Sequence, residues 1–283
     1  MTTTPSALTW TEAIYRDGIV ALKGALPPEW ADELLADFEV LYAEAEDRDR
    51  SAADGSARGR VARGPGDDPK RFYLAVHPER VRGLEALITH PSVDSVCRAV
   101  LGDDYQYVEV GFDVSLPGAV RQPLHRDFPT PEETLATGRL SSLAINASCV
   151  DVTPEMGPLE IAPGTHFHDS ADLQDGMCVP PELYGRYDRI EQRMARRGDV
   201  SVRTGLTIHR GTANTSSRPR PVLIVGVMDA RYDTFADHHL SMTRGYFDSL
   251  PAEVQSHLQR ATLTDRLEPI VQDYALDFLL REG

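Results

Sequence analysis

Hydrophobic positions along the chain follow a helical period first and a strand period later. In PPEWADELLADFEVLYAEAED, apolar residues recur at helical spacing, which predicts an amphipathic helix that begins at the prolines. Its apolar face consists of Trp30, Leu34, Leu35, Phe38, Leu41 and Tyr42. The short apolar run GIVALKGAL just before it predicts a strand.

From about residue 104 the period of the apolar positions changes to two. In YQYVEVGFDVSL, the residues that alternate with more polar positions are Val108, Val110, Phe112, Val114 and Leu116. This alternation predicts a half-buried strand. Further strand-like runs follow in LSSLAINASCVDV, PLEIAP, DVSVRTGLTIH and PVLIVGVMDA, with Pro and Gly between them. Helical patterns return in PAEVQSHLQRA and EPIVQDYALDFLLRE.

This order of elements predicts one mainly β domain over residues 1–283. A helical N-terminal part (1–103) precedes a strand-rich core (about 104–230) and a helical C-terminal part (231–283). Consecutive strands without intervening helices favour a sandwich or a barrel. Residues 46–70 have almost no apolar side chains and are predicted to be a loop. Whether 46–70 or 231–250 forms a lid stays open at this point.

The charge balance narrows the classes of function. Asp and Glu number 44 against 29 Lys and Arg, a formal net charge of −15. Nucleic-acid binding needs a basic surface, so we expect no nucleic-acid partner. Electrostatic steering instead favours neutral or cationic small substrates. The chain shows no apolar run of membrane-spanning length and no signal-peptide pattern, so we expect no membrane partner and a cytoplasmic location. Cys97, Cys149 and Cys178 are predicted to be reduced thiols.

The stretch PLHRDFP holds the strongest candidate for chemistry. On a strand, His125 and Asp127 point to the same face, so an imidazole and a carboxylate converge on one point. A facial triad for ferrous iron needs a second histidine, and His209 ends the strand-like run LTIH. Arg220 begins the next apolar strand, and its planar guanidinium matches an acid bound next to a metal.

Two other histidine pairs compete for the role of metal site. PGTHFHD contains His166 and His168 with Asp169, but no glutamate follows as a cupin-type site requires, so a turn is the favoured interpretation. His238 and His239 follow an Asp-rich stretch and are interpreted as surface or lid residues. A hydrolase is disfavoured, because the sequence has no GxSxG motif. A non-catalytic jelly-roll binding module is a further alternative.

Four segments together resemble one known family. LHRDFP, EMGPLEIAPGTH and GDVSVRTGLTIHRGTANTSSRPRPV resemble the His-x-Asp, the GPL…PGSH segment and the distal His, N-x-S and Arg of the phytanoyl-CoA dioxygenase (PhyH) family. YRDGIVALKGALPPEWADELLADFE is similar to the family's N-terminus. The resemblance covers about residues 12 to 230. It implies a double-stranded β-helix, a cupin-like jelly roll, with the N- and C-terminal helices packed on one sheet.

The resemblance also implies a set of site residues and cosubstrates. Members of the family are oxygenases that use Fe(II), 2-oxoglutarate and O2, so His125, Asp127 and His209 become the expected iron ligands and catalytic residues. In related halogenases a small residue replaces the carboxylate, so the presence of Asp127 disfavours halogenation. No basic cluster persuasive enough for the phosphates of coenzyme A is evident, which departs from the family's name.

Arg220 becomes the expected partner of the distal carboxylate of 2-oxoglutarate. Gln122 and Asn146 are further candidates for cosubstrate contacts, because one lies just before the first ligand and the other on a strand expected to face the cavity. The expected reaction is hydroxylation of an unactivated C–H of a small molecule, a specialised metabolite that is polar or amine-bearing. Desaturation, ring closure, alcohol oxidation and the oligomeric state stay open.

Overall fold

The computed structural model describes residues 7–51, 62–63, 68, 70–232 and 240–270. Its helices are α1 (Ala7–Asp17), α2 (Pro28–Ser51), α3 (Leu84–Ile88), α4 (Pro91–Leu101), α5 (Glu132–Thr137), α6 (Arg244–Ser249) and α7 (Ala252–Ser256). Its strands are β1 (Ile19–Leu22), β2 (Ala62–Arg63), β3 (Arg71–Ala75), β4 (Gln106–Ser115), β5 (Ser142–Ser148), β6 (Leu159–Ile161), β7 (Glu191–Arg193), β8 (Val200–Arg203), β9 (His209–Gly211), β10 (Arg220–Met228), β11 (Ser241–Thr243) and β12 (Thr262–Thr264). Short 3-10 turns occupy Pro78–Arg80 and Pro181–Arg186.

A 7-stranded major sheet runs in the order β1-β8-β5-β10-β4-β3-β2. Its central strand β10 pairs antiparallel with both β4 and β5. Along β10, Leu223 and Val225 are fully buried, whereas the alternating Val222 and Ile224 are only partly buried. The first face packs in the core, and the second face, which includes Arg220, is the one that faces the candidate site.

Helical elements from both ends of the chain pack on the buried face of this sheet. The ring of Phe38 in α2 lies 5.4 Å from that of Phe112 in β4. From the C-terminal part, the ring of His257 stacks on Tyr105 with 3.9 Å between centroids. The hydroxyl of Tyr107 donates to the carbonyl of Ile88 at the end of α3. This arrangement confirms the expected bracing of one sheet by N- and C-terminal helices.

A smaller sheet, β7-β6-β9, faces the major sheet and is built from strands of three residues. The segment around His125 extends it by pairing with His209. Behind it lies a separate apolar cluster of Leu124, Ala162, Leu173, Val179, Tyr187 and Ile208. The two sheets, closed around the site between them, form the jelly roll that the family resemblance implies.

The structure adjusts the predicted parts at both ends. The helical N-terminal part (1–103) also contains three strands, and β3 joins the major sheet by pairing with β4. The C-terminal part contains a parallel pair of strands, β11 and β12, and α7 is shorter than the pattern predicted. Both differences arise because tertiary pairing overrides local propensity. The predicted helix in 268–282 lies almost entirely outside the described residues. Of the predicted loop 46–70, residues 46–51 instead continue α2 and 62–63 form β2, and most of the remainder lies outside the described residues.

The remaining predictions concern cysteines and membranes. Cys97, Cys149 and Cys178 are free thiols, and all three are buried. None of the helices in the described part of the chain combines the length and the apolar character that a membrane crossing requires.

Candidate metal and cosubstrate site

The two candidate histidine ligands are cross-strand neighbours. His125 donates its backbone N–H to the carbonyl of His209 at 2.9 Å, and His209 returns a bond to the carbonyl of His125 at 2.8 Å. Residues paired in this way in an antiparallel ladder present their side chains to the same face. The imidazole centroids lie 4.6 Å apart. Backbone pairing between two distant parts of the chain therefore brings both rings to one point.

A backbone carbonyl orients each histidine ring. Nδ1 of His125 lies 2.9 Å from the carbonyl oxygen of Pro123, and Nδ1 of His209 lies 2.8 Å from that of Thr207. Because a carbonyl only accepts hydrogen bonds, Nδ1 carries a hydrogen in each ring, and Nε2 is the nitrogen left for another contact. Burial and the neighbouring His209 lower the pKa of His125 to about 4, so this ring is neutral at pH 7.

Asp127 completes the group and contacts a buried arginine. Its Oδ2 lies 2.7 Å from Nη1 of Arg203, and its Oδ1 lies 3.2 Å from Nε2 of His209. Burial acts to raise the pKa of this carboxyl, but Arg203 and the two histidines outweigh burial and hold the pKa well below its usual range. Asp127 is therefore a carboxylate at neutral pH, which is the form that binds metals.

The candidate ligand atoms of His125, Asp127 and His209 all lie within 4.8 Å of one another. In the described part of the chain, no other group of three His, Cys, Asp or Glu side chains brings its ligand atoms close enough together to hold a metal ion. A donor set of two imidazole nitrogens and one carboxylate is the facial triad that suits Fe(II). The residues therefore fit the iron that the sequence resemblance implies.

The rival histidines have other surroundings. His166 is buried, and its Nε2 donates to the carbonyl of Tyr15 in α1 at 3.1 Å, so it ties the turn after β6 to the first helix. His168 is only partly buried and lies beside the Tyr187 ring. This agrees with the interpretation of PGTHFHD as a turn. His238 and His239 lie outside the described residues.

A pair of buried arginines forms the second part of the site. Arg220 begins β10, Arg71 begins β3, and both lie opposite Ser115 of β4 in the sheet register. Their exposed fractions are 5% and 1%. Nε and Nη1 of Arg71 and Nε of Arg220 have no hydrogen-bond partner in the described part of the chain. Unmet buried donors are costly, so this pair is suited to an anion that supplies acceptors.

Nearby carboxylates satisfy these arginines only in part. Asp113 lies 3.4 Å from Nη2 of Arg220, and its side chain is 40% exposed. Asp68 directs its two oxygens to the backbone N–H groups of Lys70 and Val120. Burial lowers the pKa of Arg71, and Arg220 adds to this effect while Asp113 opposes it. Donors of both guanidiniums therefore remain available to a ligand.

Gly211 links the arginine pair to the metal triad. A Cβ at this position would overlap the guanidinium of Arg71 and come within 2.9 Å of Oε1 of Gln122. Instead, Nη2 of Arg71 donates to the carbonyl of Thr212 at 2.6 Å, and Gln122 Oε1 accepts the N–H of Gly211 at 2.8 Å. Because Gly211 ends the strand that begins with His209, Arg71 and Gln122 lie next to the ligand strand.

The turn before β10 fixes the position of Arg220. The side-chain amide of Asn214 donates to the carbonyls of Ser115 and Arg218, and Ser216 donates to its oxygen. Asn146 lies elsewhere on the site-facing side of the sheet. It pairs in register with Ile224, and its Nδ2 donates to the carbonyl of Ala144 at 3.0 Å. The structure therefore places Gln122, but not Asn146, beside the arginine pair.

Arg71 and Arg203 were not predicted from the sequence. Each carries a weak local signal, a charged residue at the end of an otherwise apolar strand (RFYLA and VSVR). Such a residue usually lies at a solvated strand end. Only the pairing of β3 with β4 and the contact with Asp127 show that these two arginines face the site.

Comparisons with known proteins agree with the site. A family model described as Phytanoyl-CoA dioxygenase (PhyH) matches residues 14–222. Dioxygenase trt7 of Aspergillus terreus is 24% identical over 235 residues, which are 80% of this chain and 75% of trt7.

Solved structures share the fold. SnoN, a non-heme alpha ketoglutarate dependent epimerase from nogalamycin biosynthesis, matches with a TM-score of 0.58 and 21% identity over 79% of this chain and 83% of its own. SnoK, a non-heme alpha ketoglutarate dependent carbocyclase from the same biosynthesis, matches with a TM-score of 0.57 and 22% identity, over 81% of this chain and 88% of SnoK. AviO1 from Streptomyces viridochromogenes matches with a TM-score of 0.54 and 20% identity, over 81% of this chain and 98% of AviO1.

The family match spans most of the chain and includes both segments of the histidine and aspartate group as well as Arg220. SnoN has been solved with Fe3+, alpha ketoglutarate and nogalamycin RO, so a relative of this fold holds the metal, the cosubstrate and a small molecule together. The chain belongs to the phytanoyl-CoA dioxygenase (PhyH) family and is a dioxygenase that depends on iron and 2-oxoglutarate.

Proposed function

We propose that His125, Asp127 and His209 bind Fe(II) through one nitrogen of each ring and the carboxylate. The observation that carries this proposal is the backbone hydrogen bond that orients each ring. With each Nδ1–H given to a carbonyl at 2.9 or 2.8 Å, Nε2 is the nitrogen of each ring that is left for a metal. The three groups are pre-assembled within 4.8 Å, so little reorganisation is needed for binding.

The distal carboxylate of 2-oxoglutarate is assigned to Arg220 together with Arg71. Both guanidiniums are buried and keep open donors, and a carboxylate satisfies such donors in pairs. Gln122 lies beside Arg71 across Gly211 and is a further contact on the path from the arginines to the triad. Held at both ends, the cosubstrate has one orientation.

Iron and 2-oxoglutarate, when bound, supply the oxidising power, with O2 as oxidant and succinate and CO2 as products. The chain supplies placement. His125, Asp127 and His209 hold one end of the cosubstrate through the metal, Arg71 and Arg220 hold the other, and the two sheets exclude bulk water from the space between. The principal reaction we assign is hydroxylation of an unactivated C–H of a small molecule, a specialised metabolite.

The site-facing side of the major sheet favours a polar substrate. Tyr73, Glu109 and Asn146 alternate there with apolar residues such as Ile224. A Cβ at Gly226 would come within 3.0 Å of the Cβ of Glu109, so this carboxylate side chain occupies the space that the glycine leaves. A carboxylate on this face supports a substrate with hydroxyl or amino groups.

A second candidate reaction is ring closure or another oxidation without hydroxyl transfer. Its support is that SnoK is a carbocyclase and SnoN an epimerase on the same fold. The outcome depends on which hydrogen lies nearest the metal. A binding-only role is disfavoured, because it gives no reason to keep the metal triad and the buried arginines together.

The test is an anaerobic titration of the protein with Fe(II) and then 2-oxoglutarate, followed by the visible charge-transfer band of the chelate. We expect the band in the wild-type protein and its loss in Asp127→Ala. Arg220→Ala should need a higher 2-oxoglutarate concentration for the same band. Product analysis with panels of hydroxylated and amine-bearing small molecules then separates hydroxylation from ring closure.

A matched control is His168→Ala, which removes a histidine of the rival motif and should keep the wild-type band. Absence of the band in wild-type protein with both reagents in excess would refute the assignment of the ligands. A band that is unchanged in Asp127→Ala would place the metal elsewhere in the chain.

A further inference from the structure

The two oxygens of the Asp127 carboxylate have different partners, and Arg203 binds one of them. It is the last residue of β8, its side chain is 10% exposed, and its Nη1 lies 2.7 Å from Oδ2. The other oxygen, Oδ1, lies 3.2 Å from Nε2 of His209. Oδ1 is thus the oxygen presented to the metal position, while Oδ2 is held by a charged donor on the opposite sheet.

The position of Arg203 is set by backbone pairing. It pairs in register with Ala144 of β5 and Ile19 of β1, so β8 is held on both sides and the side chain is directed to the site. The chain then turns at Gly205, whose carbonyl accepts the N–H of Asp127 at 2.8 Å. A Cβ at Gly205 would come within 2.8 Å of Oδ2, so glycine leaves the room that the ion pair needs.

The number of open metal positions depends on how this carboxylate binds. Three protein ligands that each bind through one atom would leave open metal positions for the keto and carboxylate oxygens of 2-oxoglutarate and for O2. An Asp127 carboxylate that bound through both oxygens would take one of those positions. The side chain of Asp127 is 36% exposed, so packing alone does not prevent binding through both oxygens.

We propose that Arg203 is a positioning residue that keeps Asp127 a one-oxygen ligand and thereby preserves the metal position needed for the cosubstrate. This inference rests on the proposed function of the triad. Arg203 acts through Asp127, and its charge also balances that of the carboxylate before the metal arrives.

The experiment uses Co(II), whose visible spectrum reports coordination number and which requires no turnover. Wild type, Arg203→Met and Arg203→Lys are titrated anaerobically with Co(II) and then with 2-oxoglutarate. Arg210→Met is the matched control. Arg210 is also a buried arginine in an ion pair, 2.7 Å from Glu160, and it follows His209 directly, yet that pair lies outside the triad.

We expect Arg203→Met to weaken Co(II) binding about ten- to a hundredfold, the usual effect of losing a partner of a metal ligand. Its Co(II) spectrum should differ from that of the wild type, and more 2-oxoglutarate should be required to change it. Arg203→Lys keeps one charged donor and should recover most of both properties. Arg210→Met should bind Co(II) as the wild type does, even if it unfolds at a lower temperature.

Wild-type affinity and spectrum in a folded Arg203→Met would overturn the inference and leave the proposed function standing. No Co(II) binding in the wild type would instead overturn the proposed function. If Arg203→Met does not fold, Asp127→Gly with added formate gives the answer. Formate should restore Co(II) and 2-oxoglutarate binding to Asp127→Gly, and addition of Arg203→Gln, which removes the charge, to that variant should weaken the rescue. Equal rescue in both variants counts against the inference.

Discussion

The two ends of the proposed cosubstrate path differ in how their charged side chains are satisfied. At the metal end, Asp127 and Arg203 form a close ion pair, and both histidines have a carbonyl partner. At the other end, Arg71 and Arg220 keep buried donors without partners in the described part of the chain. The metal end is thus complete before any ligand arrives, whereas the arginine end is completed by its ligand.

This difference separates two ways of preparing a binding site. A pre-assembled set of ligands lowers the cost of ordering side chains when the metal binds. Buried donors without partners instead carry an unfavourable free energy of desolvation, and a bound anion reduces this cost by accepting their hydrogen bonds. Substitutions at the triad should therefore weaken metal binding, whereas substitutions of the arginines should weaken 2-oxoglutarate binding.

The largest effect is expected for Asp127→Ala. Removal of the carboxylate leaves two neutral ligands and an unpaired Arg203 beside the metal position, so iron affinity should fall by more than about a hundredfold. Equilibrium titration of the apoprotein with Fe(II) under anaerobic conditions measures this. The arginine end should be independent of it, so Arg220→Ala should bind Fe(II) alone with unchanged affinity. An equal loss of Fe(II) affinity in Asp127→Ala and Arg220→Ala would show that the two ends do not act independently.

Substitution of the arginines should act on the cosubstrate only. Loss of a charge-assisted hydrogen bond costs about 1.5–3 kcal/mol, which is about a ten- to hundredfold higher half-saturation for 2-oxoglutarate in Arg220→Ala or Arg71→Met. Titration of the Fe(II)-loaded protein measures it. Lys70→Met, which changes an exposed cation next to Arg71 in sequence, is the control and should bind 2-oxoglutarate normally.

Gly211→Ala tests the link between the two ends. The new methyl group would overlap the Arg71 guanidinium and approach Gln122, so the arginine must move. We expect about a tenfold weaker 2-oxoglutarate binding with metal affinity nearly unchanged, because His209 keeps its backbone bonds to His125. Gly185→Ala, where an added Cβ meets no atom within 4 Å, serves as the matched glycine control.

The smallest effect concerns stability without ligands. Arg71→Met removes a buried cation with unmet donors, and such replacements are often neutral or stabilising by about 1 kcal/mol or more. The apoprotein should therefore melt at the same or a slightly higher temperature, while 2-oxoglutarate should stabilise the variant less than the wild type. Thermal unfolding with and without Fe(II) and 2-oxoglutarate measures both. A clear loss of stability in apo Arg71→Met would show that Arg71 supports the fold itself.

Local patterns predicted much of the fold and part of the site. The alternation around Val110 and Phe112 identified β4, and the spacing of His125 and Asp127 placed both side chains on one face. These features depend on residues close in sequence. His209 and Arg220 were candidates from their places in later strand-like runs, and the family resemblance assigned them their roles beside His125 and Asp127.

The rest depends on pairing between distant segments. Arg71 reaches the site because β3 adds to the edge of β4, and Arg203 because β8 lies between β1 and β5. The residues close in sequence to Arg71 and Arg203 do not indicate which strands β3 and β8 pair with. The pattern also overestimated the helical character of both ends, where short strands form through tertiary pairing.

The mutual backbone bonds of His125 and His209 also have a consequence for the folding pathway. These residues belong to segments far apart in sequence, and contacts of that kind carry a high loop-closure entropy and form late. An unfolded or half-folded chain has no assembled metal position, so binding energy is released only when the roll closes. Metal in the refolding buffer should slow unfolding more than it speeds folding, and the Co(II) band should rise only with the last kinetic phase. In this protein the arrival of the metal would mark the completion of the native topology.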